Sequence, residues 1–226
     1  MDCPFGVCDG SGMIVDEETR TTSPCRCRPQ VLARARARSL SAVIPARYAD
    51  SSFDRPPVTD MPAPLVRAVR AYADGIDAEL DAGRGLWFMG DVGTGKTTLA
   101  MLVSRAALDA GRSVAIYSMP RLMGLLSSTY DNSSEATEEN LIDRLVNIDL
   151  LHVDDVGAKT KSDWVVERFY SIVNGRYEAE KSVVMTTNIT ARDRLRDEVG
   201  ERTVSRLTEM CTEIPVFGSD RRELAV

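Results

Sequence analysis

Gly90-Asp91-Val92-Gly93-Thr94-Gly95-Lys96-Thr97 decides how this chain folds. The octet follows an apolar run, Leu86-Trp87-Phe88-Met89, that reads as a buried strand. It precedes Thr98-Leu99-Ala100-Met101-Leu102-Val103, which reads as a helix. Glycines let the backbone curl until successive N–H groups face one anion, and the helix that follows aims its positive end at the same point. Strand, glycine-rich turn and helix in that order make a phosphate-binding loop, so Gly90 through Thr98 are expected to hold a nucleoside triphosphate. Lys96 is expected to reach the β- and γ-phosphates, and the Thr97 hydroxyl to ligate Mg²⁺.

Outward from the loop, strand-like runs recur at 86–89, 114–118, 149–153, 183–187 and 213–217. Helical stretches lie between or before them at 65–82, 96–110, 119–129, 136–147, 163–179 and 191–209. Near-continuous apolar strands alternating with helices imply an α/β fold with a parallel five-stranded sheet covered on both faces. The polar tract Asp131-Asn132-Ser133-Ser134-Glu135 reads as an exposed loop.

Strand ends of such a sheet face a ligand crevice. Leu150-Leu151-His152-Val153 runs into Asp154 and Asp155, which places Asp154 to hold Mg²⁺ through water and Asp155 to orient an attacking water. Thr186-Thr187-Asn188 ends the next strand, where the Asn188 amide can touch a γ-phosphate or that water. Arg202 and Arg206 fall four residues apart on one helical face, and Arg221 and Arg222 follow near the C-terminus. An arginine that reaches a neighbouring subunit's γ-phosphate stabilises transition-state charge. His152, the single histidine, and Cys211 read as packed core residues.

The chain has 226 residues and a formal net charge of −6. It contains no run approaching the ~20 apolar residues of a membrane span, so a cytoplasmic protein without a membrane partner is expected. Charge is uneven: from Arg20 to Arg47 there are seven arginines (20, 26, 28, 34, 36, 38, 47) and no acidic residue. Such a segment fits either a contact with nucleic acid or an acidic surface, or a solvated helix face. Four of the five cysteines, Cys3, Cys8, Cys25 and Cys27, lie in the first 27 residues. In a reducing compartment this clustering points to a structural Zn²⁺ held by four thiolates, because so short a segment cannot fold on an apolar core alone. Neither C-x4-C nor C-x-C is the common two-residue spacing, and unligated thiols in a tail are the alternative.

Together Ile44-Pro45-Ala46-Arg47-Tyr48, the GDVGTGKTT loop, HVDDVGAKT, TTN and GERTVSRL resemble the AAA+ ATPases of the DnaC/DnaI helicase-loader and IstB group, over residue 45 to the end. The resemblance implies ATP as the nucleotide. It also implies Asn188 as sensor 1, Arg206 as an arginine finger acting in trans, and Arg221 as the sensor 2 arginine beside the nucleotide. Ser162 and Trp164 fall where loaders contact single-stranded DNA; a base can stack on an exposed indole, whereas a buried one is core. The cysteine cluster followed by an arginine-rich helix resembles the helicase-contact module of DnaI-type loaders. The chain departs from many AAA+ proteins in carrying Asp155 instead of Glu, one methylene shorter, so slow turnover is expected.

The implied organisation is a zinc-binding, helicase-contacting module at 1–30, a basic helix and proline-rich linker at 31–60, and an AAA+ ATPase domain at 61–226. The implied activity is ATP-dependent loading of a hexameric replicative helicase onto single-stranded DNA, by a protein that self-associates when it binds ATP. An IstB-like transposase helper and a slow or non-hydrolysing ATP-switch adaptor are the alternatives. A small-molecule kinase is disfavoured, since sensor and finger arginines would serve no purpose there.

Overall fold

The computed structural model describes residues 3–16, 21–28, 31, 43–129, 138–157, 162–218 and 220. Of the basic helix expected at 31–38, all but Val31 lies outside these residues, as do the loop at 131–135 and Arg221 and Arg222.

At the N-terminal end, strands β1 (Met13–Asp16) and β2 (Thr21–Pro24) pair antiparallel, with Met13 opposite Pro24. Cys3, Cys25 and Cys27 form the buried centre of this hairpin, and Cys8, Ile14 and Val31 pack against them.

The large sheet contains β3 (Gly85–Met89), β4 (Val114–Ser118), β5 (Leu150–Asp154), β6 (Ser182–Thr187) and β7 (Cys211–Pro215). Their order is β4-β5-β6-β3-β7 and every neighbouring pair is parallel. Because successive strand residues point to opposite faces, Trp87, Tyr117, Val153 and Met185 enter one core while Phe88, Ile116, Leu150 and Val184 enter the other. Helices α1 (Ala63–Asp74), α2 (Ile76–Asp81) and α3 (Lys96–Asp109) cover the second core. The first is covered by α4 (Met119–Ser127), α5 (Glu138–Asn147), α6 (Asp163–Glu178), α7 (Arg192–Val199) and α8 (Glu201–Met210). With both faces covered, β3 to β6 are buried along almost their whole length, which accounts for their apolar continuity, while the edge strand β7 keeps Thr212 and Pro215 exposed.

The helices differ from the sequence reading at two glycines. The stretch expected over 65–82 divides at Gly75, and the one over 191–209 divides at Gly200. Gly200 has φ 89° and ψ 142°, a conformation that side-chain-bearing residues avoid, so α7 stops and α8 restarts at an angle. Strand β7 begins at Cys211, two residues before the expected start at 213. This draws the Cys211 thiol into the core, where burial pushes its pKa up to about 12.

Among the described residues, one charged group is wholly internal. The Arg176 guanidinium donates to the carbonyls of Leu145 (2.5 Å), Val146 (3.1 Å), Asp149 (3.2 Å) and Ser182 (2.5 Å). It thereby ties the open C-terminal end of α5 to the starts of β5 and β6. Burial pulls its pKa down, opposed by the Asp149 carboxylate. His152, also fully buried, meets the Ser104 hydroxyl on α3 at 2.9 Å, and burial pushes its pKa down to about 4.

Candidate functional site

The loop between β3 and α3 is held from both ends. Val216 donates its N–H to Met89 O at 2.7 Å, anchoring the strand end, and the Thr94 hydroxyl donates to Asp91 O at 2.9 Å, closing the turn. Gly93 has φ 76°, and a Cβ there would stand 1.9 Å from an Asp220 carboxylate oxygen, so both backbone and space require glycine. Lys96 is buried, and its ammonium donates to Gly90 O (2.9 Å) and Asp91 O (2.5 Å). These bonds keep a positive charge inside the loop that the N-terminus of α3 already makes electropositive.

Opposite the loop, the ends of β5 and β6 are stitched into one polar chain. Thr97 on α3 donates to Asp154 Oδ1 at 2.9 Å, and Thr186 donates to the same oxygen at 2.7 Å. The Thr186 hydroxyl in turn accepts the Asp155 N–H at 2.9 Å, and Asn188 Nδ2 donates to Asp155 Oδ1 at 2.8 Å. Asp155 occupies the left-handed region at φ 60°, which Asp and Asn tolerate better than longer side chains. The backbone therefore turns the carboxylate toward Asn188 and suits the short acid at this position.

These groups line a cleft of about 500 Å³, bounded by Gly93, Gly95, Lys96, Thr97, Thr98, Asp154, Asp155, Thr186 and Asn188. Arg47, Tyr48, Ser51 and Pro57 complete its wall. That wall is pinned to α3 by Arg105, which donates to Ser51 O (2.8 Å) and Tyr48 O (2.6 Å) after the 3₁₀ turn at Ala46–Tyr48. Hydroxyl and carboxylate converging at Thr97 and Asp154 are hard oxygen donors of the kind Mg²⁺ takes beside a phosphate. The site thus offers an anion cradle, a cation position and an oriented carboxylate within one cleft.

Thr186, and the wall formed by Arg47, Tyr48, Ser51 and Pro57, had no assigned role in the sequence reading. Thr186 stood in the quoted TTN run, and Arg47 and Tyr48 in the lead-in motif; a polar residue just inside a strand end was the available signal. The structure does not bring Arg206 to the cleft. It lies on α8 against α6, where it meets Asn174 and Tyr177. The Ser162 hydroxyl accepts the Val165 N–H at 3.3 Å as the N-cap of α6, and Trp164 is half-buried against the first core.

At the N-terminal end, the four sulfurs of Cys3, Cys8, Cys25 and Cys27 lie within 4.8 Å of one another. Cys3 and Cys25 are 3.8 Å apart, and Cys8 and Cys27 3.4 Å. Tetrahedral Zn²⁺ with Zn–S bonds of about 2.3 Å spaces its thiolates about 3.8 Å apart, so the donor set fits that ion. The Val7 N–H, helped by those of Cys8 and Phe5, lowers the Cys3 pKa to about 6, while burial among the other thiols pushes Cys27 up to about 12.

The sequence profile of the IstB-like ATP binding protein family matches residues 66–223. The chain belongs to this family. Among curated proteins, it is 28% identical over 179 residues to the replicative helicase loader DnaC of Buchnera aphidicola subsp. Schizaphis graminum, an alignment spanning 79% of this chain and 68% of that protein. It is 30% identical over 138 residues to the replicative helicase loader DnaC of Escherichia coli strain K12, spanning 61% of this chain and 54% of that one. The crystal structure of the DnaC helicase loader superposes with a TM-score of 0.64 at 24% identity, covering 76% of this chain and 99% of that chain. The α/β fold with a parallel five-stranded sheet is accordingly the AAA+ fold expected from the sequence. Among the described residues of this IstB-like ATP binding protein, no helix is long and apolar enough to cross a membrane.

Proposed function

We propose that this chain is a cytoplasmic AAA+ ATPase that loads a hexameric replicative helicase onto single-stranded DNA. The observation that carries the ATPase reading is the hydrogen-bonded chain from Thr97 through Asp154 and Thr186 to Asp155 and Asn188, lying across one cleft from the phosphate loop. The names of the related DnaC proteins support the loader reading.

On this reading Lys96 exchanges its carbonyl partners for the β- and γ-phosphates, and backbone N–H groups from Gly90 to Thr98 cradle them. Thr97 and Asp154 hold Mg²⁺, which neutralises charge on the phosphate oxygens. Asp155 accepts a hydrogen bond from the attacking water while Asn188 fixes that carboxylate. The water oxygen then bonds to the γ-phosphorus, the bond to the bridging oxygen breaks, and the water's protons pass to phosphate and solvent. Arg206 of a neighbouring copy stabilises the charge on the transferring group, and Arg221 contacts the nucleotide. Residues 61–226 are the ATPase unit, 31–60 a basic linker, and 1–30 a zinc-held module that grips the helicase. Ser162 and Trp164 meet single-stranded DNA.

The test mixes the purified chain with ATP, a hexameric replicative helicase and circular single-stranded DNA, then counts helicase rings on the circles. ATP-dependent loading that Lys96→Ala abolishes is expected. Loading that proceeds equally with Lys96→Ala would reject the assignment, and co-purification with a transposase in place of the helicase would favour the helper reading.

A further inference from the structure

The Arg206 side chain is gripped at several points by its own subunit. Its Nε donates to Asn174 Oδ1 at 3.2 Å, its guanidinium carbon stands 4.2 Å from the centre of the Tyr177 ring, and Nη1 lies 3.7 Å from Glu209 Oε1. Each of those groups is itself fixed. Asn174 donates through Nδ2 to Glu178 at 2.8 Å, so its carbonyl oxygen is the atom turned to Arg206. The Tyr177 hydroxyl donates to Glu209 Oε2 at 2.7 Å, which locks the ring beneath the guanidinium.

An isolated surface ion pair at this spacing does little. Here the plane and one edge of the guanidinium are constrained by α6, while the pair with Glu209 comes from α8 itself. About a third of the side chain, 34%, faces solvent. The result is a long side chain held at three points while part of it remains exposed to solvent.

We infer that Asn174 and Tyr177 are positioning residues for Arg206, fixing the guanidinium on α6 so that a neighbouring copy's γ-phosphate meets a pre-oriented edge. The inference rests on the reading of Arg206 as a trans-acting finger. An arginine that must be ordered at the moment of reaction spends binding energy on lost rotamer freedom, and one already ordered does not. Stacking on an aromatic face also leaves the guanidinium edge, which carries the donors, available to a phosphate.

The experiment measures steady-state phosphate release by full-length variants under assembly conditions. Tyr177→Leu should lower kcat by about 10- to 100-fold with KM for ATP unchanged, Asn174→Ala should do so more weakly, and Tyr177→Phe, which keeps the ring, should retain most activity. The defect should follow the arginine-bearing face. Tyr177→Leu mixed with Asp155→Asn should regain turnover, because the Asp155→Asn subunit lends an intact Arg206. Tyr177→Leu mixed with Arg206→Ala should not. Wild-type kcat in both Tyr177→Leu and Asn174→Ala, while Arg206→Ala is inactive, overturns the positioning role and leaves the finger standing. Wild-type kcat in Arg206→Ala removes the finger itself. Loss in Tyr177→Leu that neither mixture restores marks a structural role and also overturns the inference.

Discussion

Four thiols in the hairpin and three glycines in the loop after β3 each gather around a ligand position, and the chain holds them by different means. Around Cys3, Cys8, Cys25 and Cys27 the packed groups are the thiols themselves with Ile14 and Val31. The phosphate loop instead springs from Phe88 and runs into Leu99 and Val103, all fully buried, and Lys96 is already bonded inside it. A site of the first kind would take its order from an ion. The second takes its order from the core, and is formed before its ligand arrives.

The largest effect should come from taking the metal away. Structural zinc in small modules is worth about 10–16 kcal/mol at neutral pH, far more than three buried cysteines supply. A strong chelator, or Cys8→Ser, should abolish amide-exchange protection across residues 3–28 while leaving the melting of the α/β body unchanged. Protection that survives chelation, with no metal found by elemental analysis, would mean that the hairpin packs unaided and that the contrast is false.

Next is the body's own internal charge. Removing the guanidinium takes a donor from four carbonyls, so Arg176→Met should cost ~3–5 kcal/mol in urea unfolding, with zinc content unaffected. A loss below about 1 kcal/mol would show that the carbonyls find other donors.

How much of this was legible follows from where the information resides. The phosphate loop could be read because its turn chemistry is local, and β3 to β6 could be read because two covered faces force apolar runs. Gly75 and Gly200 were less visible as breaks: each flanks helix-forming residues on both sides, and only packing decides that the chain must turn there. Thr186 and the wall of Arg47, Tyr48, Ser51 and Pro57 reach the cleft through the crossover of the sheet and the grip of Arg105, which no sequence spacing encodes. Arg176 lies in a helix that also carries Glu167, Arg168 and Asn174, and nothing in their spacing marks it as the internal one. The cysteines were legible as a cluster, and their convergence within 4.8 Å came from pairing Met13 with Pro24 across the hairpin.

Acid should separate the two regions by mechanism. His152 falls from an ordinary 6.5 to about 4 because burial disfavours the imidazolium, an effect that Asp154 only partly offsets. Below pH 6.5 the unfolded chain therefore binds the extra proton and the folded one does not. The contribution is complete above that pH and is lost as pH falls toward 4. The slope should approach ~1.4 kcal/mol per pH unit, roughly 3 kcal/mol in all. Both tryptophans, Trp87 and Trp164, lie in the body, so urea midpoints followed by their fluorescence report it alone. His152→Asn should flatten the slope between pH 6.5 and 4.5. An unchanged slope would assign the acid sensitivity elsewhere, while any zinc released on acidification would track the thiolates around the hairpin.

The smallest effect sits at the phosphate loop and probes what a preformed site costs its ligand. The Asp220 carboxylate presses on Gly93, so the anion cradle has a negative group of the same chain at its rim. A charge beside a helix N-terminus is worth about 0.3–1 kcal/mol, and the same carboxylate repels incoming phosphates. Asp220→Asn keeps the shape and removes the charge. It should tighten ATP binding by roughly 2- to 5-fold, with the gain shrinking as salt screens the repulsion. Gly93→Ala should instead weaken binding, because a methyl group there meets both Asp220 and a strained backbone. If Asp220→Asn weakens ATP binding at low salt, the carboxylate helps to hold the nucleotide's cation, and the loop is completed by its ligand in the way the hairpin is.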